Sequence, residues 1–384
     1  MAATALPSVS NDERRRVLEL VYRHGFNATS FQTLEQGFRY SFHGANACVA
    51  YVDTGKAWVA AGAPLAATGD LLAVTRTFVD RARASGRRAC FFATEERLRR
   101  ALDDTIASIR IGEQPVYDPE RWPTTLRLRR SLREQLRRAR AKGVRIRQLP
   151  VSELLEIATH ERVASITRRW FSSHGLPAMD FLVRVEPFSF PDHRAFFAAE
   201  IGDQLVGFAG VVPVPARAGF LLEDLIRDPS APNGTAELLI DRVMEFAVES
   251  RSRFVTLGLA PLAGELSPAL RLARKSGAFL YDFDGIRAFR GKLLPDSWSS
   301  VYLSYPRSQP TLPSLLDALA AFAGGSLTRF GLRSLWRRFQ PNPAAQSLGS
   351  STHRTHRVDA RCFDRRQQTT EHADQRASEQ RNAE

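Results

Sequence analysis

From residue 219 to residue 264 the spacing of apolar positions changes three times. Residues 220–226 are apolar except for Glu223 and Asp224, the pattern of a buried strand, and Arg227 follows where the run ends. Pro229 and Pro232 then stop regular structure. Gly234 and Thr235 open a stretch in which Leu238, Leu239, Val243, Phe246 and Ala247 recur at helical spacing. A second short apolar run, 254–259, reads as another buried strand and ends in the turn Ala260–Pro261. Strand, helix and strand in this order describe an ordinary βαβ core unit. The same order puts a helix N-terminus beside two strand ends, a place suited to an anion or a carbonyl oxygen.

Similar patterns run along the rest of the chain. Residues 13–24 form an amphipathic helix and 31–36 a further helical turn. Runs 48–53 and 57–62 flank Thr54–Gly55 as a hairpin. Residues 70–85 are helical and stop at Gly86, 88–93 are a strand, 95–102 a helix, and 107–111 with 114–117 a strand pair. One helix is expected over 126–142, a strand over 144–148, a long helix over 151–171, and a strand pair over 194–201 and 204–212. After 264 come a helix (266–276), an extended piece (279–283), an ambiguous stretch (286–294) and a last strand (301–305). Residues 315–322 and 332–339 are amphipathic, the second carrying Arg333, Arg337 and Arg338; they suit an anionic lipid surface or a cap on the domain. Beyond residue 341 the composition predicts disorder. Interleaved strands and helices mean an α/β or α+β layering, and two halves of similar order meet near residue 150.

Composition adds one constraint. A chain of 384 residues with 43% hydrophobic positions is long enough for two cores, and its net charge of +13 favours an anionic partner, nucleic acid or an acidic membrane surface. An Arg-rich genome would leave the same surplus. Much of it lies in 126–142, where Arg129, Arg133, Arg137 and Arg140 line one face beside a stripe of Leu128, Leu132, Leu136 and Ala139. Such a face suits phosphates, or is simply solvated. Cys48, Cys90 and Cys362 have no metal-ligand or disulfide spacing, and His160, His174 and His193 have no partner at metal or triad spacing. No signal peptide and no run approaching the ~20 apolar residues of a membrane span is visible, so a soluble or peripheral protein is expected. No serine-hydrolase elbow, P-loop or zincin motif occurs.

Several blocks, in order, carry a resemblance: IGEQPVYD (111–118), LRRSLREQLRRARAKGV (128–144), DLIR (224–227), APNGT (231–235), LGLAPLAG (257–264) and FDGIRAFRGKLLPDSWSSVYLSYP (283–306). Over about residues 25–310 the chain resembles the soluble C-terminal domain of the phosphatidylglycerol lysyltransferases, the multiple peptide resistance factors. The resemblance implies an α/β (α+β) fold of tandem acetyltransferase-like (GNAT-type) domains with mixed central sheets. The corresponding layout is an N-terminal helix at 1–25, domains at 26–148 and 149–310, amphipathic helices at 311–340 and a tail at 341–384. It implies transfer of an amino acid from aminoacyl-tRNA to the head group of phosphatidylglycerol, at the inner membrane face of the cytoplasm, with no cofactor or metal beyond the aminoacyl-tRNA donor. Full-length relatives carry a membrane-spanning flippase that this sequence lacks, which leaves the acceptor open.

In that chemistry Asp224 is the candidate for proton handling or for holding the α-ammonium, and Arg227 for a lipid or tRNA phosphate; the two would serve equally as a structural ion pair. Asn233, Gly234 and Thr235 offer backbone N–H groups to an oxyanion or phosphate, or merely start a helix. Glu113 resembles the family's glutamate and would orient the donor; Arg290 and Lys292 would meet phosphate, and Arg129, Arg133, Arg137 and Arg140 the tRNA. Trp298 and Tyr302 read as anchors. An acyl-coenzyme A-dependent N-acyltransferase of the same fold and a non-catalytic nucleic-acid or membrane binder are the alternatives.

Overall fold

The computed structural model describes residues 10–174, 181–183, 188–277 and 283–323, whose strands fall into two mixed sheets. In chain order the strands are β1 (Arg39–His43), β2 (Ala47–Asp53), β3 (Ala57–Ala61), β4 (Arg88–Glu95), β5 (Ile106–Val116) and β6 (Arg145–Leu149). They continue as β7 (Ala195–Ile201), β8 (Gln204–Val214), β9 (Gly219–Arg227), β10 (Phe254–Thr256), β11 (Ala260–Pro261) and β12 (Ser297–Pro306). The first sheet runs β1-β2-β3-β4-β12-β5-β11 and the second β10-β9-β8-β7-β6. The helices are α1 (Asn11–His24), α2 (Leu71–Ala84), α3 (Glu96–Ala101), α4 (Trp122–Leu128), α5 (Arg130–Ala141) and α6 (Val151–Leu154). After them come α7 (Ile157–His174), α8 (Thr235–Glu249), α9 (Pro268–Gly277), α10 (Phe283–Lys292) and α11 (Thr311–Phe322).

One unit occurs twice. In the first sheet β1, β2 and β3 are antiparallel neighbours and α2 leads to β4, parallel to β3. In the second, β7, β8 and β9 repeat the meander and α8 leads to β10, parallel to β9. The expected α/β (α+β) tandem of mixed sheets is therefore present. Sheet membership does not follow the expected border at 148–149, because β11 and β12 cross back to the first sheet, where β12 pairs with both β4 and β5.

Each sheet buries its faces under helices. On one side of the second sheet, α8 and α5 cover Phe197, Val211, Leu222 and Val255. On the other, Val163 and Ile166 of α7 meet Phe196, Phe208 and Ile226. Between the sheets lies the chain's N-terminal part. Ser10 caps α1 with Glu13 in a reciprocal pair of hydrogen bonds, and Val17, Leu20 and Val21 point inward. A 3-10 helix, Ala28–Leu34, follows; its Phe31 and Leu34 pack with Cys48 and Leu65 from the first sheet and Val212, Leu221 and Phe254 from the second.

Several local readings change. The strand pair at 107–117 is the single strand β5: Gly112 marks close approach, since a Cβ there would lie 2.3 Å from the Ala260 carbonyl oxygen of β11. The turn at Ala260–Pro261 is that short strand. The helix at 126–142 is broken at Arg129 (φ −108°, ψ 87°) into α4 and α5. The long helix at 151–171 is α6 followed by α7, the strand at 254–259 ends at Thr256, and the ambiguous 286–294 is helical to Lys292. The readings at 279–282, 332–339 and 341–384 lie outside the described residues. No described helix is long and apolar enough to cross a membrane.

Candidate active site

Position 223 is where the sequence pattern and the backbone combine to make a site. In β9, Leu222 pairs with Val211 and Asp224 with Gly210, so Glu223 is the extra residue of a β-bulge. Leu222 and Leu225 both pack on the α8 side although they are three residues apart, which a regular strand does not allow. The two acidic residues between them point to the opposite side, where Ile226 packs on the α7 side.

There they meet Arg194, whose side chain is fully buried. Its guanidinium ion-pairs with Glu223, and its Nη2 donates to Glu35 Oε1 at 3.2 Å and to Ser189 Oγ at 3.0 Å. Its Cζ lies 5.2 Å from the centre of the Phe31 ring. Glu35 caps the C-terminal end of the 3-10 helix. Three carboxylates thus surround one guanidinium in a low-dielectric setting, and they cannot all be ionised without leaving negative charge unpaired. Burial pushes the Asp224 carboxyl up to about 8, the nearby Glu223 carboxylate pushes the same way, and Arg194 only partly opposes them. Glu35 is also raised well above the usual carboxylate range, by burial and then by Glu223. Arg194 stays charged: burial lowers its pKa, but Glu223 and Glu35 outweigh that. Among the described residues nothing hydrogen-bonds to the Asp224 carboxylate, and Glu223 Oε1 and Arg194 Nε are buried without partners. Gly210 leaves room for the group, since a Cβ there would sit 3.0 Å from Asp224 Oδ2. A carboxyl of this kind exchanges a proton near neutral pH and attracts a cation when ionised.

The other residues singled out from the sequence do not join Asp224. Arg227 lies on the opposite face of β9, with Leu225, so the two make no ion pair. Its Nη1 makes only long contacts, 3.5 Å, to the Ala231 carbonyl and Asn233 Oδ1. Asn233 is exposed, while Gly234 (φ 96°) sits against α5, where a Cβ would come 2.2 Å from the Gln135 carbonyl oxygen. Thr235 bonds back to the Pro232 carbonyl. This glycine is demanded by helix packing and by its backbone angle. Lys292 reaches the same end of α8, pairing with Glu237 at 2.6 Å, and Arg290 Nη1 donates to the Gly258 carbonyl at 2.8 Å.

Glu113 forms a separate buried cluster, paired with Arg110 and with Arg287 at 2.8 Å each. Of the four helix arginines, Arg133 caps the carbonyls of Leu126 and Arg127, Arg137 pairs with Glu134, and Arg140 reaches buried Asp241. Arg129 stands exposed at the helix break. Asp241 also accepts from the Trp122 indole at 2.8 Å, so Arg140 is tied into the α5–α8 contact. Trp298 lies under Arg287, and the Tyr302 hydroxyl donates to Glu96.

Glu35, Glu223 and Arg194 are the functional candidates that sequence reasoning missed. Two adjacent acids inside an apolar strand were the one available signal; Glu35 and Arg194 are brought in by the fold. Cys48 and Cys90 are buried, and burial raises the Cys48 thiol to about 12, unsuited to nucleophilic work near neutral pH. Among the described residues no group of three or more His, Cys, Asp or Glu side chains is placed to hold a metal ion.

The comparisons agree with this architecture. The crystal structure of the C-terminal domain of a protein described as a lysylphosphatidylglycerol synthetase from Agrobacterium fabrum matches with a TM-score of 0.70 at 22% identity, covering 83% of this chain and 99% of that one. L-PGS from Bacillus licheniformis matches with a TM-score of 0.68 at 18% identity, covering 82% and 97%. A curated relative, the phosphatidylglycerol lysyltransferase of Bacillus subtilis (strain 168), is 31% identical over 115 residues, which is 28% of this chain and only 13% of that protein's length. The family described as "Phosphatidylglycerol lysyltransferase, C-terminal" matches residues 14–305, most of the chain, and this protein belongs to it.

Proposed function

We propose that this protein moves an aminoacyl group from aminoacyl-tRNA to a head-group hydroxyl of phosphatidylglycerol. The donor is a ribose ester, already activated, so no cofactor is required. The acceptor hydroxyl oxygen attacks the ester carbonyl carbon, and its proton passes to the Asp224 carboxylate. The tetrahedral intermediate collapses by breaking the bond to the ribose oxygen, which takes the proton back from Asp224. Arg194, held by Glu35 and Glu223, faces the carboxyl and favours its ionised form, which offsets part of the effect of burial.

Family membership supports the reaction class, and one observation carries the assignment of the site: a buried carboxyl raised to about 8 with no hydrogen-bond partner among the described residues. A base with a pKa near the working pH combines adequate ionisation with proton affinity. In this reading the tRNA and the membrane surface take up the positive surplus. Arg227, Asn233, Gly234, Thr235 and Lys292 form the phosphate-facing side at the start of α8, and Arg129 and Arg137 extend it along α5. Glu113 and Arg290 hold the neighbouring walls. The protein works peripherally at the cytoplasmic face of the membrane.

The test is transfer of labelled amino acid from charged tRNA into lipid, using vesicles that contain phosphatidylglycerol. The proposal expects label in the lipid phase that is abolished by ribonuclease, and a loss of about 100-fold or more in Asp224→Asn. Absence of labelled lipid with a panel of charged tRNAs would overturn it. So would label that appears from an acyl-coenzyme A but from no tRNA.

A further inference from the structure

Helix α11 is apolar on two sides, and only one of them faces the protein. On the inner side Ser314, Asp317, Ala318 and Ala321 are buried, and the two alanines pack with Val59 of β3 and Cys90 of β4. Asp317, the one charged residue of the helix, accepts two hydrogen bonds of 2.6 Å from Arg88. On the outer side Leu312, Leu316 and Leu319 recur at i, i+4 and i+7, a stripe about 60° wide. They are 66%, 44% and 54% exposed. A single exposed leucine is ordinary; three in a stripe, on a helix with no charge turned outward, mark a contact surface. The helix begins beyond residue 305, where the family match ends, so membership of the family assigns this surface nothing.

The charge beside the stripe is positive. Strands β3 and β4 are parallel and β12 is antiparallel to β4, so Lys56, just before β3, and Arg307, just after β12, emerge at one end of the sheet. At that end the Tyr305 hydroxyl shares a 2.7 Å hydrogen bond with Thr311 Oγ1, at the start of α11. Lys56 and Arg307 are exposed and make no ion pair among the described residues; Arg307 Nε donates to the Asp104 carbonyl at 2.8 Å. In the sequence that follows Asp317, residues 318–358 contain six arginines and no acidic residue. An apolar stripe beside cations, with acids absent, has the chemistry of a helix lying in the interface of an anionic bilayer. A second copy of the chain on this face would instead bring the cations of both copies together.

The last turn of α11 also adjoins the segment that supplies Glu35. Phe322 meets Phe92 and Phe181 edge-on, with ring centres 4.9 Å and 5.2 Å apart, and the Leu182 carbonyl accepts from Gln32 Nε2 at 3.2 Å. Gln32 lies in the 3-10 helix that ends at Glu35, the partner of Arg194.

We infer that the outer face of α11 docks on an anionic bilayer, with Leu312, Leu316 and Leu319 entering the acyl boundary and Lys56 and Arg307 meeting lipid phosphates. The inference rests on the lipid acceptor proposed above and adds the face by which the chain reaches it.

The test places a polarity-sensitive nitrobenzoxadiazole label on Leu316→Cys in the full chain, with Cys362→Ser as background; Cys48 and Cys90 are buried. Vesicles of phosphatidylcholine, alone or mixed with phosphatidylglycerol or phosphatidylserine, are added without tRNA. The expected result is a brighter, blue-shifted label with both anionic mixtures and no change with phosphatidylcholine alone. In sedimentation with the same vesicles, the triple variant Leu312→Gln, Leu316→Gln, Leu319→Gln should bind about tenfold or more weakly than the parent, with its unfolding midpoint kept. A label that stays in water while the chain binds vesicles, or a folded triple variant that binds as tightly as the parent, overturns the inference. So does a label already in an apolar setting without lipid: dependence on protein concentration gives the face to a second copy, and independence gives it to another part of this chain. The label decides alone if the triple variant does not fold. Docking without aminoacyl transfer would remove the proposed reaction and leave the face, whereas transfer to soluble dihexanoyl phosphatidylglycerol without docking would remove the face alone.

Discussion

Glu223 and Asp224 are consecutive in β9, yet both turn their carboxylates toward Arg194, because the bulge opposite Val211 and Gly210 takes up one residue. That relationship turns an apolar strand into a charged site. It has a thermodynamic consequence. Asp224 is raised in the folded protein above its unfolded value, so between about pH 4 and about pH 8 the folded state holds a proton that the unfolded state has lost. Stability from this group therefore falls as pH rises through that window. Asp224→Asn should be more stable than the wild type at pH 8, by a few kcal/mol (order of magnitude), and the difference should shrink toward pH 5. Urea unfolding of both proteins at several pH values measures it; a constant or inverted difference contradicts the assignment.

Arg194 should be the most sensitive member of the cluster. Replacing it with Met leaves Glu35, Glu223 and Asp224 buried without a cation, which costs about 3–5 kcal/mol at neutral pH. Because the carboxyls can take up protons instead, the loss should be smaller at pH 5 than at pH 7.5. Thermal unfolding across that range checks both the size and the direction.

Gly234 and Gly86 separate packing from backbone angle. Both have positive φ, 96° and 68°, but an added Cβ meets the Gln135 carbonyl oxygen at 2.2 Å in the first case and open space in the second. Gly86→Ala should cost about 1 kcal/mol, and Gly234→Ala clearly more, because α5 must move away from α8. Denaturant midpoints of the two variants give the comparison.

The arginines of α4 and α5 should divide by their neighbours. Arg140→Gln strands Asp241, which is 4% exposed, and should lower stability by about 1–3 kcal/mol. Among the described residues the Arg129 side chain has no partner, so Arg129→Gln should leave the unfolding midpoint unchanged while weakening tRNA binding. The salt slope of that binding should fall by about one unit. Fluorescence anisotropy with labelled tRNA over a salt series is the measurement.

Much of this fold was legible because its elements announce themselves locally. The 54–55 hairpin, the helix ending before Gly86 and the 235–249 helix follow from apolar spacing and glycine stops. The failures have local causes too. Gly112 looked like a turn but gives β11 room to approach, and Arg129 breaks a helix whose apolar stripe continues across the break. The site was only half visible. Asp224 stands out as an acid in a strand, but its separation from Arg227 depends on strand alternation, and the bulge that unites it with Glu223 leaves no mark in spacing alone. Glu35 and Arg194, 159 residues apart, meet only after the N-terminal segment packs against the second sheet.

The central claim is that a proton passes through Asp224 during aminoacyl transfer. Single-turnover transfer from charged tRNA to phosphatidylglycerol, followed from pH 6 to pH 9 in the wild type and in Asp224→Asn, tests it most directly. The account predicts a wild-type rate that climbs with pH and levels off near 8, and a variant that is at least 100-fold slower with no such climb. A variant as fast as the wild type, or a flat wild-type profile, would contradict it.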